Sequence, residues 1–236
     1  MNLDNKLAKL TGWLLGRPKL TGFFVFAFLL ILIVLITNQR YKIVKENEHR
    51  EMLNIINAVK QNLDQSLKNS YTAALTLALT INDNGEPQNF DAVAAQLISS
   101  NSKFKAVQLV PKGVIRHIYP RKGNEGALGS NVFISKKDNK YRAHSSVKQR
   151  KMYFIGPDKL LQGGVGIVGR LPVYQRNEFW GFSAVVINLD TFLRDIGVLN
   201  AKDKRFYFQF SKCNITSGME EFYLSGSTDF KNKSYE

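Results

Sequence analysis

The sequence predicts an α+β fold attached to a membrane-spanning helix, and three observations carry that reading. Leu20 to Thr37 runs for eighteen residues without a charge. From Arg40 to Ile81 apolar residues return every three or four positions, the period of a helix. Beyond Ala106 the pattern shortens to runs rich in β-branched and aromatic residues, the composition of strands. Composition agrees with a folded chain: 44% of the 236 residues are apolar and 22% charged, which excludes disorder, and 6 prolines with 17 glycines exclude a collagenous chain. A single cysteine, Cys213, excludes an internal disulfide framework and a multi-thiolate metal site.

The uncharged run, residues 20–37, reaches roughly 27 Å at ~1.5 Å per residue, against a hydrocarbon core of about 30 Å. A cleaved signal peptide would carry a shorter apolar region followed by small residues, whereas Asn38-Gln39-Arg40-Tyr41 follows here, which favours an uncleaved anchor. A buried soluble helix is disfavoured because Leu29 to Leu35 are all Leu, Ile or Val and leave no polar face. Basic residues flank both ends, with Lys6, Lys9, Arg17 and Lys19 before and Arg40, Lys42, Lys45 and Arg50 after. Long domains translocate largely regardless of charge, so the short tail, residues 1–19, is expected in the cytoplasm and the remainder outside the inner membrane, in the periplasm or extracellular.

Residues 38–81 read as one amphipathic stalk helix with Met52, Ile56, Val59, Leu63, Leu67, Tyr71, Leu75 and Leu79 as its stripe. That stripe packs on its own domain or pairs with a second copy in a homodimer; the periodicity allows both. Asn82 to Pro87 is a turn cluster, and Asp91 to Ser99 a short second helix. Strands are predicted at Ala106 to Val110 and Val114 to Tyr119, then as a hairpin at Val165 to Tyr174 and Trp180 to Asn188. Asn188 caps a closing helix expected to run through Leu199. Phe206 to Phe210 and Phe222 to Leu224 start a further sheet that two strands cannot complete, so the sequence reads as an excerpt or a truncated product. Helices leading into an antiparallel sheet with a late hairpin make an α+β domain of the PAS type.

Several motifs are weighed against plainer readings. Gly164 to Gly169 satisfies G-x-G-x-x-G, but a dinucleotide fingerprint must open a helix, and here a β-run and Pro172 follow, so these are close-packing glycines. Ser183 in GFSAV lacks the second glycine of a nucleophile elbow. His49, His117 and His144 have no metal-ligand spacing, and no paired carboxylates punctuate the strands, so no cofactor, metal or catalytic residue is predicted. Net charge is +14, with 23 basic against 11 acidic residues after position 100, a balance suited to nucleic acid, an anionic ligand or anionic lipid. The membrane span removes the nucleic-acid reading. Lys136, Lys137, Lys140, Arg142, Lys148, Arg150 and Lys151 form a basic loop, either solvated or in contact with anionic headgroups. Asn214-Ile-Thr216 and Asn232-Lys-Ser234 match a glycosylation sequon relevant only in a eukaryotic secretory pathway.

Four segments occur in a telling order: P-K-G-V-I with I-Y-P (111–120), G-N-E-G-A-L-G (123–129), G-P-D-K-L-L-Q-G-G (156–164), and P-V-Y (172–174) before W-G-F (180–182). Together they resemble the CHASE domain, the extracytoplasmic sensor of cytokinin receptors and of many bacterial receptor kinases and cyclases. The resemblance implies a membrane-distal PAS-like sensor subdomain over residues 82–200 and the beginning of a membrane-proximal one over 201–236. It implies a ligand-sensing input module of a transmembrane receptor, probed by an unknown small molecule, with a histidine kinase as output. The alternatives are a diguanylate cyclase, or an anchored envelope protein that binds anions without signalling. The family's ligand-facing elements map to Asn131, Phe154, Leu161, Val168 and Tyr174, expected around one mostly apolar cavity. Asn131 stands where plant receptors place an adenine-binding aspartate, and Ile155 where they place a small hydroxyl residue; both departures argue against cytokinin as the ligand. The topology is checked by fusing alkaline phosphatase after Leu199: the fusion is expected to be active, and a reporter that needs the cytoplasm silent. The reverse pattern refutes the receptor topology.

Overall fold

The computed structural model describes residues 12, 16–134, 137–198, 209–213 and 220–224. The chain divides into two compact units, Met1–Ile56 and Asn57–Glu236. Helix α1 (Pro18–Ala78) begins in the first. Proline suits the first helical position, where its missing N–H costs no bond, and no Gly or Pro interrupts residues 23–84. The large apolar side chains from Phe23 to Ile36 are all exposed, and the helix is long and apolar enough to cross a membrane.

The second unit holds the C-terminal turns of α1 and then α2 (Phe90–Ser100), β1 (Phe104–Pro111), β2 (His117–Tyr119), a 3-10 turn at Glu125–Ala127, α3 (Lys137–Gln149), β3 (Tyr153–Lys159), β4 (Val165–Gln175), β5 (Glu178–Asn188) and α4 (Leu189–Asp195). The five strands form one antiparallel sheet in the order β2-β1-β5-β4-β3, the α+β, PAS-type arrangement that the sequence predicts. A separate antiparallel pair joins β6 (Gln209–Cys213) to β7 (Glu220–Leu224). Phe206 to Phe208 and both sequons' acceptor segments lie outside the described residues.

Strand alternation sorts the sheet into two faces. On one, Val107 and Leu109 of β1 and Val185 and Ile187 of β5 pack under Ala73, Ala74 and Leu77 of α1, with Phe90 of α2 and Phe192 and Ile196 at and beyond α4. On the other, Ala106, Val110, Phe182, Ala184 and Val186 form a second core with Ile115, Val132 and Ala143. Small residues at 73 and 74 let α1 approach closely, and the Ser183 hydroxyl donates to the Ala74 carbonyl at 2.6 Å, fully buried. That bond accounts for Ser183 as a structural residue. Lys103 pairs with Asp195 and approaches the Ser66 hydroxyl at 3.4 Å, while Asn62 donates to the Ile196 carbonyl, so α1 is also tied to α4.

Five elements differ from expectation. β2 begins at His117 rather than Val114, which makes only an isolated bridge to Asn131. α1 stops at Ala78 rather than 81, because Asn82 Oδ1 accepts from the N–H groups of Asn84 and Glu86 and folds the chain into a turn. α4 stops at Asp195 rather than 199, because Gly197 turns left-handed at φ 91°. A strand that the sequence does not signal, β3, precedes the long strand, with Gly156 and Pro157 absorbed where its register with β4 shifts between Ile155 and Asp158. The basic loop is largely helix α3, held by buried Ala143 and Ser146 and half-buried Val147 at helical spacing.

Leu77 is fully buried and Leu75, two residues away, 42% exposed. Chemical denaturation of the detergent-solubilised chain should show Leu77→Ala destabilised by about 2 to 5 kcal/mol. In the monomeric chain Leu75→Ala should change stability by no more than about 0.5 kcal/mol. Equal effects would place the helix face wrongly.

Candidate functional site

The second face of the sheet carries a partly open cavity of about 190 Å³. Its floor is built from side chains at alternate strand positions: Gly166, Val168 and Arg170 of β4, Val186 of β5, Gln108 of β1 and Ile155 of β3. Its roof comes from two loops, residues 127–132 after β2 and 161–162 after β3, with Asp158 and Lys159 at the end of β3. Gly166 is required here, since a Cβ on it would run into the Ile187 carbonyl and the Leu160 side chain. Gly166 and Gly169 of the G-x-G-x-x-G motif therefore serve close packing within β4, as the sequence context predicts, whereas Gly164 stands just before the strand in a left-handed turn at φ 76°.

Most of the lining is apolar, which makes the polar members informative. Gln108 is 2% exposed and its Oε1 has no hydrogen-bond partner. Arg170 Nε is likewise buried and unpartnered, while its Nη1 donates to the Tyr153 hydroxyl at 3.4 Å. Burial pushes the Tyr153 phenol above its usual range, opposed by the Arg170 charge and hydrogen bond, so it stays protonated at neutral pH. A buried acceptor or donor without a partner costs roughly 1 to 3 kcal/mol. Two such atoms lie at one cavity, where a ligand or water can complete them.

Of the five expected lining residues, Asn131, Leu161 and Val168 come together at this cavity. Phe154 does not. Strand alternation turns it to the opposite face, where it belongs to the helix-side core and covers Gly169 of β4, its register partner; its neighbour Ile155 takes the cavity position. Tyr174 also lies off the cavity wall, beyond the register shift at Val173/Tyr174. Its hydroxyl donates to the Val147 carbonyl of α3 at 2.5 Å, and its ring stacks beneath Arg150 at 4.4 Å and against Phe179. Arg150 thus leaves the basic cluster for a specific contact. Sequence reasoning missed Gln108 and Arg170, although each stands as a lone polar residue within an apolar strand, AVQLV and GIVGRLP.

Asn131 is half-buried, and its Oδ1 accepts from the Phe133 N–H at 2.9 Å while its backbone bridges Val114. Its carbonyl oxygen therefore holds a turn that seats Phe133 over Gly113, and its NH₂ edge remains for the cavity. Asn131→Ala should lower the melting temperature by the equivalent of about 1 kcal/mol, whereas Asn131→Asp keeps the acceptor and should leave the melt nearly unchanged. Thermal denaturation of the two variants checks this; equal losses would mean that the Oδ1 bond is not what the residue contributes.

A family model for the CHASE domain matches residues 60–223. No curated protein matches the chain. Among solved structures, it is similar to an extracellular ligand-binding receptor from Desulfohalobium retbaense, at 18% identity and a TM-score of 0.49 over 61% of this chain and 26% of that one. It is also similar to the ligand-binding domain of the Pseudomonas fluorescens chemoreceptor CtaA in complex with L-serine, at 19% identity and a TM-score of 0.48 over 70% of this chain and 66% of that one. The sensory domain of the Campylobacter jejuni chemoreceptor Tlp3 matches at 12% identity and a TM-score of 0.49 over 68% and 67% of the two chains. The chain spans about a quarter of the length of the Desulfohalobium receptor.

Proposed function

The chain belongs to the CHASE domain family, a family of sensor domains rather than enzymes, and from that membership we propose that it is the input module of a transmembrane signalling receptor whose output is a histidine kinase. The observation that carries the reading is the division of labour across one sheet. β1, β4 and β5 form the floor of a cavity with unsatisfied polar atoms on one face and, on the other, the seat of helix α1. A ligand that satisfies those atoms favours whichever arrangement of the sheet fits it best, and the strands hand that preference to the helix packed behind them.

In this proposal residues 20–37 anchor the chain in the inner membrane with residues 1–19 in the cytoplasm, residues 38–81 are the stalk, and the domain over 82–200 senses outside the membrane, followed by a membrane-proximal subdomain from 201. The membrane assignment rests on the exposed apolar run of α1. A cyclase output stays the runner-up. Reading the gene beyond codon 236 separates the two, since a second apolar span followed by a kinase or a cyclase domain identifies the output directly.

The stalk is proposed to pair with a second copy through Tyr71 and Leu75 of α1 and Leu79 one residue past its end, which recur every four residues and remain 46%, 42% and 78% exposed. In a chain carrying Cys213→Ser, Leu75→Cys should form disulfide-linked dimers in native membranes under mild oxidation. Asn69→Cys, about a third of a turn away around the helix, should cross-link far less. Equal cross-linking at both sites, or none at either, counts against pairing through this stripe.

A further inference from the structure

Gln108, Ala184, Arg170 and Tyr153 are successive register partners across four adjacent strands, β1, β5, β4 and β3. Neighbouring strands lie about 4.8 Å apart, so Gln108 and Arg170 rise from backbones roughly 10 Å apart with only the alanine methyl between them. Both carry a buried polar atom without a partner, Oε1 on one side and Nε on the other. The next row across the same strands on the cavity face, two residues along each, is Val186, Val168 and Ile155. One side of the cavity floor is thus a polar pair spanning a gap, and the other is a short apolar strip.

The chemistry of the pair is specific. A guanidinium has donors only, and its planar fork suits a carboxylate. Among the described residues Arg170 makes no ion pair, not even with Asp158, the carboxylate of the same lining, which leaves its guanidinium open to an anion from outside the chain. An amide oxygen accepts only, so Gln108 asks for an O–H or N–H. The strip of Val186, Val168 and Ile155 suits a branched alkyl group, and about 190 Å³ restricts that group to a few carbons, below the range of about 300 to 1,000 Å³ usual for larger ligands. Resting on the reading of this cavity as the sensor's pocket, we infer that the ligand is a small carboxylate with a hydroxyl or amino donor on the carbon next to the carboxyl group and a short alkyl tail. Its carboxylate meets Arg170, its donor meets Gln108 across Ala184, and its tail lies on the valine strip.

The test is calorimetric titration of the full chain in nanodiscs with four probes: 2-hydroxyisocaproate, leucine, isocaproate, which lacks the donor, and adenine, which lacks the charge. The hydroxy acid or the amino acid should bind, and whichever binds tighter identifies the donor. Isocaproate should bind about 5- to 10-fold more weakly, the loss expected for one neutral hydrogen bond. Arg170→Gln should weaken the acid by about 10- to 100-fold, as for a charged hydrogen bond. Gln108→Leu should erase the difference between the hydroxy acid and isocaproate, and because it removes a buried unpaired oxygen it should not lower the melting temperature of the unliganded chain, which keeps the test readable if Arg170→Gln folds poorly. Val168→Trp, which fills the cavity, should abolish all binding. Adenine binding that Val168→Trp abolishes, with no acid bound, overturns the carboxylate inference while leaving the pocket in place. Acid binding that survives Val168→Trp overturns both. Absence of binding by every acid at millimolar concentration overturns the inference.

Discussion

The two-residue alternation of an extended strand is the constraint on which this molecule turns. Along β5, Phe182, Ala184 and Val186 face one way and Ser183, Val185 and Ile187 the other, and all six are essentially inaccessible to solvent. A strand buried on both faces has no freedom to slip, since a shift of one residue would exchange the two cores. β1 repeats the arrangement, with Ala106, Gln108 and Val110 on the cavity side and Val107 and Leu109 under the helix. Everything that the cavity and the helix share passes through these central strands, because the outer strand β2 has only three residues and β3 is interrupted by its register shift.

The cavity exists because small residues stand where large ones would fill it. Ala184 beneath the polar pair and Gly166 beside Leu160 keep the floor low, while Phe182, one position along the same face, is fully buried among Phe133, Tyr153 and Phe179. The same strand is thus solid at one end and open at the other. Leaving Gln108 and Arg170 incompletely bonded in the open part is an energetic liability that a fold built for stability alone would remove by an apolar substitution. In the proposed sensor, an incoming ligand offsets that liability.

Much of this was legible from the chain. The uncharged run, the β4-β5 hairpin and the cap at Asn188, whose Oδ1 accepts from the Thr191 N–H, all follow from local periodicity and chemistry, and the structure holds them. Of the helical stripe only Val59 and Leu63 pack on the core, while the buried face runs through Ser66, Ser70, Ala73, Ala74 and Leu77, small residues that carry no apolar signal except at Leu77. What escaped depended on tertiary partners. β3 carries a Gly-Pro pair that reads as a breaker until its partner strand shows the bulge that absorbs it. α3 has few apolar residues, and only the contacts of Ala143 and Tyr174 reveal the face it buries. Phe154 and Ile155 are adjacent and equally apolar, so which one sees the cavity is a matter of register, fixed by the pairing of Ile155 with Val168 and of Phe154 with Gly169. Gln108 and Arg170 were visible as polar interruptions, but a single polar residue in a strand also marks an ordinary solvent face until burial is known.

Ser183 and Ala184 share one peptide bond. The first is hydrogen-bonded to a carbonyl of the helix, and the second lies under the polar pair of the cavity. Their Cα atoms are ~3.8 Å apart across a planar unit that resists twisting. Side chains lose positional information through rotamer freedom, but this junction contains no rotatable link longer than a serine hydroxymethyl. Backbone displacement of β5, however small, is therefore read at Ala74 with almost no slack, which makes the thinnest part of the domain its stiffest connection.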